Sequence, residues 1–338
     1  MLSLLAVAGC AEEPEETDPS GGVGGAGGAG GSGGEGGGQG GTTAGGGGAG
    51  GLGGGGSGGE GGGPPPAPCS VGEASGVCVA LDACTGGGVA VPGHCEEGSN
   101  TECCVHGDLT CDPEVQVLPN GGLVELPGES GCPAGMLRIE AFCIDRFEAS
   151  LETLEGAPWS PYFNPSGVEV RAVSMEGAVP QAFVSGWEAK AACENAGKRL
   201  CTDAEWLRAC QGPDESVYPF GDSAAPGTCN DSRAEHPAIE YYGTTESWIW
   251  SELDNACLDQ LPDSLDRTGQ NAGCVTTEGA FDMMGNLHEW TADPDGTFRG
   301  GFFVDTVVNG PGCLYKTGAH TMTYWDYSTG FRCCADSP

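Results

Sequence analysis

Gly279–Trp290 reads GAFDMMGNLHEW, and the rest of the folded chain is read outward from it. Two carboxylates, Asp282 and Glu289, flank the pair Gly285-Asn286. Gly-Asn interrupts both helix and strand, so the backbone turns there and presents its carbonyls. Trp290 fixes one end of the turn in a core. Two readings stay open on the residues alone. The turn is a surface loop with two solvated acids, or it cradles a hard cation with carboxylate and carbonyl oxygens.

Composition bounds the answer. The 338 residues include 64 glycines and carry a formal net charge of −36. Twelve Lys and Arg against 48 Asp and Glu exclude nucleic acid as a partner, because binding phosphates requires basic side chains that displace counterions. Nineteen cysteines indicate an oxidising compartment. No apolar run reaches the length of a membrane-spanning helix.

Residues 1–10, MLSLLAVAGC, are a short apolar run closing on Val7-Ala8-Gly9-Cys10, which resembles a bacterial lipobox with Cys10 as the lipidated residue. Residues 11–68 begin acidic and become almost pure glycine, a composition that cannot bury apolar surface and is expected to act as a disordered linker. Such a tether spans roughly 35–40 Å. Together these place the protein in a bacterial cell envelope, lipid-anchored and exposed to periplasm or exterior. Residues 69–111 hold Cys69, Cys78, Cys84, Cys95, Cys103 and Cys104, a small disulfide-rich module with too little core to fold unstapled. Its connectivity is open among 15 pairings. It serves as a ligand-binding module or as a spacer.

From Cys132 the pattern changes. CPAGMLRIEAFCIDRFEAS suggests a short hairpin closed by Cys132 and Cys143. Ser185–Pro213 carries two capping boxes, Ser185 with Glu188 and Thr202 with Glu205, and Gly197 ends the first helix. Trp187 with Ala191, and Trp206 with Cys210, form stripes expected to face the core. Residues 232–273 read as irregular loops. The five histidines, His94, His106, His236, His288 and His320, are scattered and read as surface or packing residues.

Five segments, in order, resemble the formylglycine-generating-enzyme, or sulfatase-modifying-factor, family. GAFDMMGNLHEW resembles its "GxYDMxGNVWEW" signature, CPAGMLRIEAFCIDRFEAS its opening strand pair, and the GKRL of 197–200 its helical block. Phe298-Arg299-Gly300-Gly301 resembles "RGGSW", and GFRCC at 330–334 resembles "GFR". The resemblance covers 132–338 and implies an α+β, C-type-lectin-like fold with much irregular chain. It further implies a structural calcium ion held by Asp282, Gly285, Leu287 and Glu289, and a second site needing Asn230 and an unlocated partner. It implies the bridges Cys193–Cys333 and Cys210–Cys313, and Cys201–Cys334 follows as an added pair. Cys132–Cys143 and Cys229–Cys274 complete the domain. Cys111 and Cys257 are left over, and a link between them would join the two cysteine regions.

In formylglycine-generating enzymes two cysteines shortly after "RGGS" hold copper, whose soft Cu(I) state needs thiolates. Residues 302–312 contain no cysteine, and Asp305 occupies the first position. Copper is therefore not expected, and no catalytic residue is assigned. The expected function is a non-catalytic module for an unknown protein or glycan ligand. The alternative is an oxidoreductase of the family with an altered site around Asp305.

Overall fold

The computed structural model describes residues 66–71, 74–81, 83–84, 88–96, 100–105 and 111–338. The expectations for residues 1–65, Cys10 among them, lie outside the described residues. No helix among those described is long and apolar enough to cross a membrane.

The first sheet is the cysteine module. Strands β1 (Pro68–Val71), β2 (Ala74–Ala80), β3 (Val89–Val91) and β4 (Thr101–Val105) pair antiparallel in the order β1-β2-β4-β3. Cys69–Cys103, Cys78–Cys95 and Cys84–Cys104 staple it. These bridges replace the core that so few apolar residues cannot supply. The module is not a free bead. Val71, Val91 and Val105 pack with Val117 and Tyr162, Leu118 N donates to Ala90 O at 2.7 Å, and Cys111–Cys257 bonds it to the larger part.

In that larger part β5 (Met136–Ile139) and β6 (Phe142–Asp145) form the expected hairpin, and Cys132–Cys143 closes it. Strands β7 (Ser150–Thr153) and β8 (Val170–Val173) form a two-stranded ribbon. Helix α1 (Gly186–Asn195), strand β9 (Arg199–Leu200) and helix α2 (Asp203–Gln211) follow, and both capping boxes are made. Helix α3 (Pro237–Tyr242) lies in the stretch read as irregular, where Pro237 at the first turn and Gly243 after the last are its start and stop signals. Strands β10 (His288–Trp290), β11 (Phe298–Arg299), β12 (Lys316–Thr317) and β13 (Thr329–Phe331) make a sheet in the order β12-β11-β10-β13. The last strand, β14 (Cys333–Asp336), joins β6 and β9.

One helical stripe differs from the reading of the sequence. Trp206 and Cys210 are fully buried, whereas Trp187 is 51% exposed and Ala191 also faces solvent. Helix α1 buries Gly186, Ala189, Ala192 and Cys193 instead. A Cβ at Gly186 would lie 2.5 Å from Met322 Sδ, so the face against Trp290 and Met322 admits only small residues. Three bridges follow: Cys193–Cys333 ties α1 to β14, Cys210–Cys313 ties α2 to the 3-10 turn Gly312–Leu314, and Cys201–Cys334 ties the turn between β9 and α2 to β14. Cys229–Cys274 spans the long excursion before the 279–290 turn.

Candidate functional site

The 279–290 turn is buried, not solvated. Asp282 and Asn286 both adopt positive φ, 58° each, a conformation Asp and Asn tolerate better than other side chains. Gly285 is obligatory, since a Cβ there would meet Asn230 O at 2.1 Å. Glu148, on the segment before β7, clamps the turn from beneath. It accepts from Asn286 Nδ2 at 2.6 Å and from Leu287 N at 3.1 Å. Asn286 Oδ1 in turn accepts from Asn230 Nδ2 and from Asp266 N, each at 3.0 Å.

Glu289 has a different partner from the one expected. Its carboxylate accepts from Arg332 Nε at 2.7 Å, Arg332 Nη2 at 2.6 Å and Trp206 Nε1 at 2.7 Å. Both residues of the ion pair are almost wholly buried, so each charge depends on the other for compensation. Asp282 Oδ2 accepts from Gly269 N at 2.7 Å. Burial pushes the Asp282 carboxyl up to about 7, against the pull of the Gly269 amide and of Arg332. Burial raises Glu148 well above the usual carboxylate range, and the neighbouring charges of Asp282 and Glu289 add to it.

The expected calcium ligands Asp282, Gly285, Leu287 and Glu289 lie together in this buried turn, and Glu289 is shared with Arg332. Both oxygens of Glu289 are already engaged by Arg332, and Trp206 adds a third donor. A carboxylate offers about four lone-pair sites, so three donors do not fill it. Glu289 is thus also the counter-ion of the "GFR" arginine.

Asn230, expected at a second site, has polar neighbours. Asn230 lines a cavity of about 320 Å³ with Asp231, Arg233, Asp263 and Asp266. Its amide donates to Ser264 O at 2.6 Å, which pins the 263–266 segment beside it. The carboxylates do not converge on a point. Among the described residues, the cluster whose ligand atoms all lie within 4.8 Å is Cys69, Cys78 and Cys95, and all three are in disulfides.

The segment after Arg299-Gly300-Gly301 is a tight loop. A Cβ at Gly301 would sit 2.4 Å from Asp305 O, and Phe302 N donates to that same oxygen at 3.0 Å. The Asp305 side chain turns inward and accepts from Val307 N at 3.0 Å and Val308 N at 3.1 Å. It therefore ties down the turn that follows it. Cys313 is bonded to Cys210 at 2.02 Å. Each of the eighteen cysteines among the described residues is in a disulfide. The thiolate pair that Cu(I) requires is not offered here, so the residues do not fit copper.

The histidines divide. His94 Nδ1 lies 3.0 Å from Ser70 O at the module surface, and His106 lies outside the described residues. His236 and His288 are buried, and burial holds them at about 4 and about 3, so both are neutral. His236 Nδ1 accepts from Ala238 N and caps α3, which places its proton on Nε2, 2.7 Å from Tyr327 Oη. His288 is packed among Phe298, Phe302 and Tyr315.

A family model for the sulfatase-modifying factor enzyme 1-like domain matches residues 107–335. The chain belongs to this family. The formylglycine-generating enzyme of Thermomonospora curvata is 29% identical over 187 residues, which are 46% of this chain and 55% of that enzyme. The chain thus spans about half the length of this curated relative. The solved structure of CarF covers 58% of this chain and 86% of its own, at 17% identity and a TM-score of 0.33. That of PvdO from Pseudomonas aeruginosa covers 58% and 80%, at 15% identity and a TM-score of 0.35. The sulfatase-modifying-factor-like fold is α+β, with few helices and many disulfides. Its family match starts before the hairpin at Cys132 and takes in the segment that carries Cys111.

Proposed function

We propose that this sulfatase-modifying-factor-like domain is a non-catalytic ligand-binding module of a lipid-anchored envelope protein. One observation carries the reading: the loop where the family's copper thiolates belong has none, and the nearest cysteine, Cys313, is bridged to Cys210. A disulfide sulfur bears no negative charge to offer Cu(I). The family fold can serve binding as well as chemistry, because function resides in the site and not in the scaffold. The alternative, an oxidoreductase with a site rebuilt around Asp305, has less support, since that carboxylate already accepts the Val307 and Val308 amides.

The test supplies copper, oxygen and a cysteine-containing sulfatase peptide, followed by mass spectrometry. No aldehyde above a control lacking the protein is expected; aldehyde at catalytic turnover sinks the reading. The anchor rests on Val7–Cys10 and is tested separately. Cys10→Ser is expected to abolish lipid labelling and to release the protein from membranes. A variant that still fractionates with membrane overturns the anchor alone.

A further inference from the structure

Between Arg233 and Arg267 the chain runs 33 residues without a single Lys or Arg. The same excursion holds two tyrosines and two tryptophans within Tyr241–Trp250. An acidic stretch so rich in aromatics is unusual, because aromatic residues are normally recruited to cores or to binding faces. Here Trp250 goes to the core, edge-on to His236 at 4.8 Å. Trp248 does not. It is 46% exposed on the short turn after α3.

Trp248 joins two partly buried tyrosines in an ordered cluster. Tyr242 meets Trp248 at 5.0 Å between centroids and 68° between planes, and Tyr241 meets Tyr242 at 4.9 Å and 90°. Ring faces set at such angles form a corner and not a flat platform. Trp248 and Tyr242 are held by hydrogen bonds. Trp248 Nε1 donates to Glu246 Oε2 at 3.1 Å. Tyr242 Oη donates to Glu252 O at 3.1 Å and accepts from Asn255 Nδ2 at 3.0 Å. A carboxylate on the indole edge leaves the ring face richer in electrons.

Carboxylates surround the corner. Glu246, Glu252 and Asp254 are all exposed. None of them takes part in an ion pair among the described residues. The phenol of Tyr242 is raised by burial and by the charges of Glu252 and Asp254, which places those acids at the ring. Aromatic faces attract cations through their quadrupole, and adjacent carboxylates add direct Coulomb attraction. A neutral sugar would gain no Coulomb attraction from the three acids.

We infer that the corner formed by Tyr242 and Trp248, ringed by Glu246, Glu252 and Asp254, is a docking surface for a Lys- or Arg-rich segment of a partner protein. A guanidinium or ammonium seats against the indole, and neighbouring bases meet the acids. The charge of −36 draws such a segment from a distance, while the corner selects where it lands. This assignment rests on the binding-module reading. The aldehyde assay tests that reading and the experiment below tests only this surface, so the two fail separately.

The experiment titrates a fluorescein-labelled ten-residue Lys/Arg peptide into the full chain and follows anisotropy at several salt concentrations. A peptide with Gln in place of the bases, and a hexameric chitooligosaccharide, are run in parallel. The basic peptide is expected to bind with a salt-dependent Kd, and the Gln peptide and the glycan are expected not to bind. Trp248→Ala is expected to weaken the basic peptide about tenfold. The triple variant E246Q/E252Q/D254N is expected to weaken it and flatten the salt dependence. Melting curves check that each variant is folded; should Trp248→Ala melt without cooperativity, the exposed triple variant decides. Unchanged affinity in both variants overturns the inference, because the general acidity of the chain then accounts for the binding. Binding of the glycan without the basic peptide overturns it in favour of a lectin-like surface.

Discussion

Glu289 shows how one residue's role depends on its surroundings. By motif it resembles a calcium ligand; in the fold it neutralises Arg332 and receives the Trp206 indole. Glu289→Gln removes the charge while keeping the shape, and leaves Arg332 buried without a counter-ion. A loss of about 3–5 kcal/mol in unfolding free energy is expected from such a broken pair. Chemical denaturation measures it. Excess chelator is expected to lower the melting temperature of the native protein, because an ion on the turn would draw on Asp282 and share Glu289 with Arg332. An unchanged melting temperature would leave Arg332 as the counter-charge of Glu289 without an ion. The sequence could not distinguish these cases. Asp282 and Glu289 lie seven positions apart in the chain, but Arg332 reaches Glu289 from 43 positions away.

At the scale of elements, His236 joins two pieces of the excursion to Tyr327 near the C-terminus. Its Nδ1 caps α3, its Nε2 proton points at Tyr327, and its ring packs edge-on to Trp250. Protonation would place a second N–H against Ala238 N, which is itself a donor. Burial, with some help from Arg233, lowers His236 from 6.5 to about 4. The folded state therefore binds its proton later than the unfolded state does, so the stabilisation is full above about pH 6.5 and is lost as pH falls towards 4. Complete loss amounts to roughly 3 kcal/mol. His236→Asn keeps an N-cap acceptor and cannot titrate, so its stability is expected to stay flat across that window. Denaturant midpoints at pH 7, 5.5 and 4.5 compare the two. What was legible in the sequence followed local rules: two capping boxes, the hairpin at 132–143 and the turn at Gly285-Asn286. Helix α3 is equally local, signalled by Pro237 and Gly243, but its loop-like neighbours mask it. The face of α1 was not legible, because Trp187 suggests a core and only Met322, distant in sequence, makes Gly186 the buried position.

At the scale of the whole molecule, the cysteine module and the family domain form one body because three different interactions connect them. Cys111–Cys257 closes a separation of 146 residues, Val117 and Tyr162 share the module's small core, and Leu118 N donates to Ala90 O. Composition marks a small stapled module, since six cysteines in so short a block can cross-link it internally. Yet a core that includes Val71, Val91 and Val105 gains from Val117 and Tyr162, which the block itself lacks. The double variant C111S/C257S tests how far the packing alone can hold. Removing a cross-link over so long a loop is expected to lower overall stability by about 2–5 kcal/mol, through the entropy returned to the unfolded chain. The loss acts on the unfolded state, so it need not loosen the native contacts between module and domain. Hydrogen exchange under native conditions separates the two effects. If packing holds, amides of β3 and β4 and those of α2 lose protection in step with global stability. If the bridge alone holds the module, β3 and β4 exchange much faster while α2 keeps its protection, and the single-body description fails.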